Sequence, residues 1–223
     1  MQEQSMGRML NEKSMQSPGQ ATGEKPARVV FLDRDGTMNT EVNYLHRPED
    51  LILIDGCTEA VRLLNEAGYK VIVVTNQAGV ARGYYKEEDV DILHAYMNDL
   101  LKKKGAHVDA FYYCPHHPEH GIGEYKKKCH CRKPGTGMFE QAEGDLPGGI
   151  DRENSFMIGD KLLDTEAGRN FGVTGILVGT GYGAGIRQKD DGTGYDYYAE
   201  NLLAAARAIV SGAFDVSKEI QKK

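Results

Sequence analysis

The chain reads as an α/β domain: a three-layer fold with a central parallel sheet and helices on both faces. Three observations predict it. Short apolar runs, four residues or so long, alternate along the chain with stretches of helical periodicity. Each run is as short and continuous as a strand buried on both faces. Several of the runs are followed at once by polar signatures, and in parallel folds ligands bind beyond the carboxyl ends of strands.

The elements follow in order. Val29–Leu32 is a buried strand entering a Gly-containing turn, and residues 51–53 form a minor strand. Residues 57–67 carry Ala60, Leu63, Leu64 and Ala67 on one face and stop at Gly68, which marks a helix. A second strand covers 71–74 and ends in Thr75-Asn76. Residues 87–104 place Val90, Leu93, Met97, Leu100 and Leu101 on one face before Gly105, a long amphipathic helix. A third strand covers 110–113, a Cys/His-rich loop runs over 114–131, and a helix follows over 137–143. The remaining elements are a strand at 155–158 ending in Gly159-Asp160, a helix at 162–171, a strand at 175–178 and a helix at 201–209. We expect a disordered leader over 1–27, which is polar and lacks the apolar stretch of a signal peptide. One domain over 28–212 and a frayed tail over 213–223 complete the plan.

Composition narrows the function classes. With 223 residues the chain suits one sizeable domain. Its net charge of -6 and isoelectric point near 5.7 argue against a nucleic-acid-binding surface. No apolar run reaches the length of a membrane span. A cytoplasmic protein is expected, in which four clustered or lone cysteines stay reduced and bind metal more readily than they form disulfides.

Asp33-Arg34-Asp35-Gly36-Thr37 follows the first strand. Taken singly, an Asp/Gly turn, a threonine ending a strand, a solvated lysine or an aspartate capping a helix are all ordinary features. Here Asp33/Asp35, Thr75, Lys133 and Asp160/Asp164 come in sequence, most of them at strand ends. This ordered set, spread over 29–179, resembles the haloacid dehalogenase (HAD) superfamily of phosphotransferases. The resemblance implies a Mg²⁺-dependent phosphatase of HAD-like, Rossmannoid architecture. Asp33 would be the nucleophile and Asp35 the general acid and base. Thr75 and Lys133 would bind the phosphoryl oxygens. Mg²⁺ would rest on the Asp33 carboxylate, the Asp35 main-chain carbonyl and the Asp160 carboxylate, with Asp164 orienting that shell or Lys133.

Cys114-Pro115-His116 and, after twelve residues, Cys129-His130-Cys131 each put two soft or borderline ligands two positions apart, ahead of Arg132-Lys133-Pro134. Such a set suits tetrahedral Zn²⁺, and four protein ligands would make it structural, a staple on the loop. Cys114, His116, Cys129 and Cys131 are the expected ligands; His117, His120 and His130 compete. Cys57, far away in sequence, reads as a buried structural thiol. Together with FLDRDGT and VTNQAGVARGYY, the pattern resembles the heptose 1,7-bisphosphate phosphatases, with the histidinol phosphatases as the nearest rival. That resemblance implies a small-molecule sugar bisphosphate as substrate. Glu41, Val42, Asn43 and Tyr44 would meet the sugar, Asn76, Gln77 and Ala78 would line the same wall, and Lys161 would stand near the substrate. Arg132 would clamp the phosphate that is not cleaved, while Arg82 reads equally as a flap residue or a surface cation. The windows 37–51 and 114–131 are too short for the cap domain common in the superfamily, so an open site and a monomer are expected. A zinc-containing binding module is the reading from another class. The acidic charge and the complete Asp/Thr/Lys/Asp set count against it.

Overall fold

The protein is described from a computed structural model that covers residues 8–10, 23–189 and 191–214. Its strands are β1 (Arg8–Leu10), β2 (Val29–Leu32), β3 (Lys70–Asn76), β4 (Ala110–Cys114), β5 (Phe156–Gly159), β6 (Thr174–Val178) and β7 (Tyr197–Ala199). They form one sheet in the order β1-β4-β3-β2-β5-β6-β7. Every pair among β2 to β7 is parallel, and β1 joins β4 antiparallel at the edge.

Side chains alternate across a strand, so each buried run feeds two cores. Val30 and Leu32 of β2, Val71 and Val73 of β3, and Phe156 and Ile158 of β5 face one layer. That layer holds α1 (Cys57–Glu66), the end of α3 (Glu87–Lys102) and α7 (Leu202–Val210). Val29, Phe31, Ile72, Val74 and Met157 face the other, against α4 (Gly137–Asp145) and α5 (Leu162–Phe171). Phe31 sits at the centre of that second core, with its ring 4.6 Å from Phe139 and 6.0 Å from Phe171. Truncating such a residue to alanine removes about 3–5 kcal/mol.

The chain runs from β2 outward to β3 and β4 on one side, then crosses to β5, β6 and β7 on the other. The strand order reverses beside β2, which opens a crevice at its carboxyl end. No cap domain intervenes: only a short turn of 3-10 helix at Pro48–Asp50 lies between β2 and α1.

Two expectations change in detail. The minor strand at 51–53 is a single bridge, Leu53 to Asn39, because the main chain there pairs with the Met38–Thr40 stretch rather than with the sheet. Cys114 is the last residue of β4, not the first of the loop. Short elements escaped the pattern, among them β7 and the helices α2 (Ala78–Ala81) and α6 (Gly183–Arg187), which are three to five residues long and too short to show a period. Within the expected leader, Arg8–Leu10 forms β1, and residues 1–7 and 11–22 lie outside the described residues. Of the expected tail, Phe214 packs its ring 5.2 Å from Phe156, while 215–223 lie outside the described residues. Among the described residues no helix is long and apolar enough to cross a membrane.

Candidate active site and metal cluster

Four strand tips converge. β2 delivers Asp33, β3 delivers Thr75 and Asn76, the segment after β4 delivers Arg132 and Lys133, and β5 delivers Asp160. Lys133 comes from a hundred residues beyond Asp33, yet its ammonium lies 2.7 Å from Asp33 Oδ1 and 2.7 Å from Asp164 Oδ1. It also donates to the Val74 carbonyl at 2.7 Å. Asn76 holds the Lys133 main chain from both sides, accepting its N–H at 3.0 Å and donating to its carbonyl at 3.2 Å. The lysine is only 3% exposed. Burial alone would lower its proton affinity, but the carboxylates of Asp164 and Asp33 raise it above the ordinary value.

Three buried carboxylates, Asp33, Asp160 and Asp164, bring ligand atoms within 4.8 Å of one another. Burial, followed by the negative charge of Asp33, pushes Asp160 up to about 7 and Asp164 up to about 6. Asp160 Oδ2 accepts from the Tyr182 N–H at 2.9 Å. Its Oδ1 is buried without a hydrogen bond, with the Lys161 ammonium 3.4 Å away. An orphaned buried oxygen within a crowded set of hard carboxylates fits a divalent cation such as Mg²⁺. Gly36 (φ 89°) and Gly181 (φ 55°) make room for that carboxylate; a Cβ on either would collide with it.

A cavity of about 330 Å³ opens over these groups. Asp33, Asp35, Thr75, Lys133 and Asp164 line its floor, and every residue expected at the substrate, from Glu41 to Tyr44, Asn76 to Ala78, Arg132 and Lys161, lines its walls. Asp160 lies behind the floor, fully buried. Glu41 and Lys161 meet across the pocket at 3.1 Å. Arg132 donates to the His116 carbonyl at 3.2 Å, so the Cys/His loop orients it directly. Arg82 is outside the lining and lies with its guanidinium 5.9 Å from the Tyr44 ring.

Three residues without a role in the sequence expectations touch the site: Arg34 and His94, fully buried behind it, and Tyr85 in the lining itself. Arg34 is fully buried and grips Asp35 through three hydrogen bonds of 2.9 to 3.2 Å. Burial alone would raise Asp35, but the Arg34 charge and the hydrogen bonds from Asn39, Arg34 and Gln77 hold it below its ordinary value. A usable signal existed for His94, a histidine interrupting the apolar stripe of α3.

The Cys/His loop gathers its ligands as well. The sulfurs of Cys114, Cys129 and Cys131 are 3.1 to 3.3 Å apart, and His116 Nδ1 is 3.5 Å from Cys131 Sγ and 3.8 Å from Cys114 Sγ. A disulfide needs about 2.05 Å, so all are free thiols. A tetrahedron of Zn–S bonds of about 2.3 Å has edges of roughly 3.8 Å; the His116 distances approach that edge, and the sulfurs lie closer together than it. The hydrogen bond shared by Cys114 and Cys129 draws the Cys129 thiol down and pushes the Cys114 thiol up, so the pair favours one thiolate, the form of sulfur that binds zinc. The competing imidazoles are engaged elsewhere. His130 Nε2 bonds Glu140 at 2.9 Å, and His117 Nδ1 accepts from the N–H groups of Glu119 and His120. Cys57, the first residue of α1, is buried in the core, and burial pushes its thiol up to about 12.

Comparison with known proteins agrees with this geometry. A family model described as HAD-hydrolase-like matches residues 130–205. D-glycero-D-manno-heptose-1,7-bisphosphate 7-phosphatase of Chlorobaculum tepidum is 40% identical over 190 residues, 83% of this chain and 96% of that protein. D-glycero-beta-D-manno-heptose-1,7-bisphosphate 7-phosphatase of Haemophilus ducreyi is 47% identical over 156 residues, 69% of this chain and 84% of that one. Among solved structures, the D,D-heptose 1,7-bisphosphate phosphatase of B. bronchiseptica, complexed with magnesium and phosphate, superposes with a TM-score of 0.73 at 30% identity. It covers 82% of this chain and 98% of its own.

Proposed function

The chain belongs to the D-glycero-D-manno-heptose-1,7-bisphosphate 7-phosphatase family of HAD-type hydrolases, and on that premise we propose that it removes the 7-phosphate of heptose 1,7-bisphosphate and leaves the 1-phosphate in place. The observation that carries the reading is the Lys133 ammonium, 2.7 Å from the Asp33 carboxylate at the bottom of a pocket that also holds Asp35 and Thr75. A cation beside a carboxylate nucleophile is what an attack on a phosphate dianion needs.

Asp33 Oδ attacks phosphorus, the ester P–O bond breaks, and the phosphoryl group rests on Asp33 as an aspartyl-phosphate. Asp35 gives its proton to the leaving C7 oxygen. The incoming phosphate dianion raises the proton affinity of Asp35, as any like charge does, and so opposes the pull of Arg34. Asp35 then takes a proton from water, which attacks phosphorus and regenerates the Asp33 carboxylate. Lys133 and the Thr75 hydroxyl hold the phosphoryl oxygens as charge develops on them. Asp33, the Asp35 carbonyl and Asp160 would hold Mg²⁺, which when bound cancels charge between nucleophile and phosphate. Cys114, His116, Cys129 and Cys131 would hold a structural Zn²⁺. Arg132 is placed to clamp the second phosphate bidentately, and Glu41, Asn43 and Lys161 to bond the sugar hydroxyls. The free thiols suit the reducing cytoplasm, and the reading needs only one copy of the chain.

The test is phosphate release, with Mg²⁺ present, from both anomers of heptose 1,7-bisphosphate and from histidinol phosphate. The expected result is turnover of heptose bisphosphate with marked preference over histidinol phosphate, abolished in Asp33→Asn. Equal or greater turnover of histidinol phosphate would overturn the substrate assignment.

A further inference from the structure

Along the pocket floor runs a set of hydrogen bonds whose donor and acceptor roles follow from Arg34, with His94 Nδ1 at its far end left without a hydrogen-bond partner among the described residues. It starts at Arg34. A guanidinium only donates, so His94 Nε2, 3.2 Å from Arg34 Nη1, must accept, and the proton of His94 resides on Nδ1. His94 is fully buried, stacked 4.6 Å from the Phe111 ring at 18° and edge-on to Tyr113 at 5.9 Å. Burial, then the charge of Arg34, holds its proton affinity well below the usual histidine range, in keeping with a neutral acceptor.

The same logic fixes Gln77. Its Oε1 takes two donors, Tyr85 Oη–H at 2.7 Å and Arg34 Nη2 at 3.3 Å. Its amide therefore cannot flip, and Nε2 must point at Asp35 Oδ2, 3.1 Å away, and at Thr75 Oγ1, 2.9 Å away. Thr75 accepts at its oxygen from Gln77, which leaves the hydroxyl proton free to donate into the pocket. Gly79 makes this possible: a Cβ there would strike the Tyr85 ring.

We propose that His94, Arg34, Tyr85 and Gln77 form a positioning relay that sets the orientation of the Asp35 carboxylate and the direction of the Thr75 hydroxyl proton. None of the four needs to exchange a proton. His94 seats the guanidinium, the guanidinium and Gln77 grip Asp35, and Tyr85 locks the amide. This rests on the reading of Asp35 as the acid that protonates the leaving oxygen. A sugar or other alkyl leaving group needs that proton, whereas p-nitrophenolate departs without it. The relay therefore acts on one substrate class and not on the other.

The experiment compares kcat/KM for the sugar bisphosphate and for p-nitrophenyl phosphate in wild type, His94→Leu, His94→Gln and Tyr85→Phe, with folding checked by thermal unfolding. kcat/KM ends at departure of the leaving group, so it isolates the protonated step. In His94→Leu the sugar bisphosphate should lose about tenfold more than p-nitrophenyl phosphate, a fraction of the 10²–10⁴ that general acid catalysis supplies. His94→Gln, whose amide oxygen can again accept from Arg34, should restore the ratio. Tyr85→Phe should shift the ratio in the same direction, and it carries the test should His94→Leu fail to fold. Parallel loss on both substrates, or no loss on either, would overturn the relay while leaving the phosphatase reading intact. Wild-type inactivity on both would overturn the phosphatase reading and the relay with it.

Discussion

Lys133 is almost wholly buried. It is held between Asp33 and Asp164 at 2.7 Å each, and both carboxylates are buried with it. Removing its charge would strand two buried anions, which in other proteins costs about 3–5 kcal/mol. Lys133→Met should therefore lose stability of roughly 3 kcal/mol in denaturant titration and reduce phosphatase activity to background. A stable but inactive variant would leave the lysine purely catalytic, and a stable active one would remove it from the account. His94 gives a residue-scale prediction in pH. Its folded-state proton affinity lies well below the ordinary value of 6.5, so its contribution is intact above that pH. Below it the unfolded chain takes up a proton the native state refuses, and stability falls by about 1.4 kcal/mol per pH unit. His94→Gln lacks this penalty and should gain roughly 2 kcal/mol on wild type between pH 7.5 and pH 5. Equal pH slopes in denaturant unfolding would contradict a buried neutral imidazole. At this scale the residues expected at the ligand, Asp33, Thr75, Lys133 and Asp160, were picked out by their order along the chain and its family resemblance, and the fold brings them together. Arg34, Tyr85 and His94 were not. Their work is to hold other side chains, and only the three-dimensional contact reveals that.

The Cys/His loop is the element on which the pocket wall depends. Its ligand set converges on three sulfurs and His116 Nδ1, and the His116 carbonyl takes the Arg132 guanidinium. Tyr125, in the middle of the loop, is anchored to the start of α3 through Glu87 at 2.8 Å. Loss of the staple should therefore be felt at Arg132 and Lys133. His116→Ala should lose bound zinc by elemental analysis and fall about 10–100-fold in kcat/KM, the range seen when the support of a metal site is removed. His130→Ala should keep its zinc, since His130 is bonded to Glu140 on the surface. The reverse outcome would reassign the fourth ligand. In the sequence the candidate ligand pairs were plain from their two-residue spacing, but the choice of His116 among four nearby imidazoles came from the family resemblance, because spacing alone does not say which way a ring points. The short helix α2 shows the same limit: four residues, one of them glycine, carry no period, yet they set Gly79 beneath Tyr85.

The whole molecule explains why these parts meet. Buried strands such as Val29–Leu32 read as continuous apolar runs, and alternation with helices forces a parallel sheet whose carboxyl ends point one way. The active site is then a consequence of topology: four sequence-distant tips share one edge beside the switch in strand order. That much was legible. The edges were not. β1 and β7 are three residues long, and β1 is paired on a single side, so local pattern gives them little weight. The pocket is lined by residues 41–45 on one side and by Arg132 and Lys133 on another, so on the proposed reading the two ends of a bisphosphate meet different cations. On that reading, Lys133 at the floor meets the phosphate that is attacked and Arg132 at the wall the phosphate that is held. The direct measurement is ³¹P NMR of heptose 1,7-bisphosphate during turnover by the magnesium- and zinc-loaded enzyme. The account predicts loss of the 7-phosphate signal, growth of inorganic phosphate and a persistent 1-phosphate. Loss of the 1-phosphate first, or of both together, would contradict it.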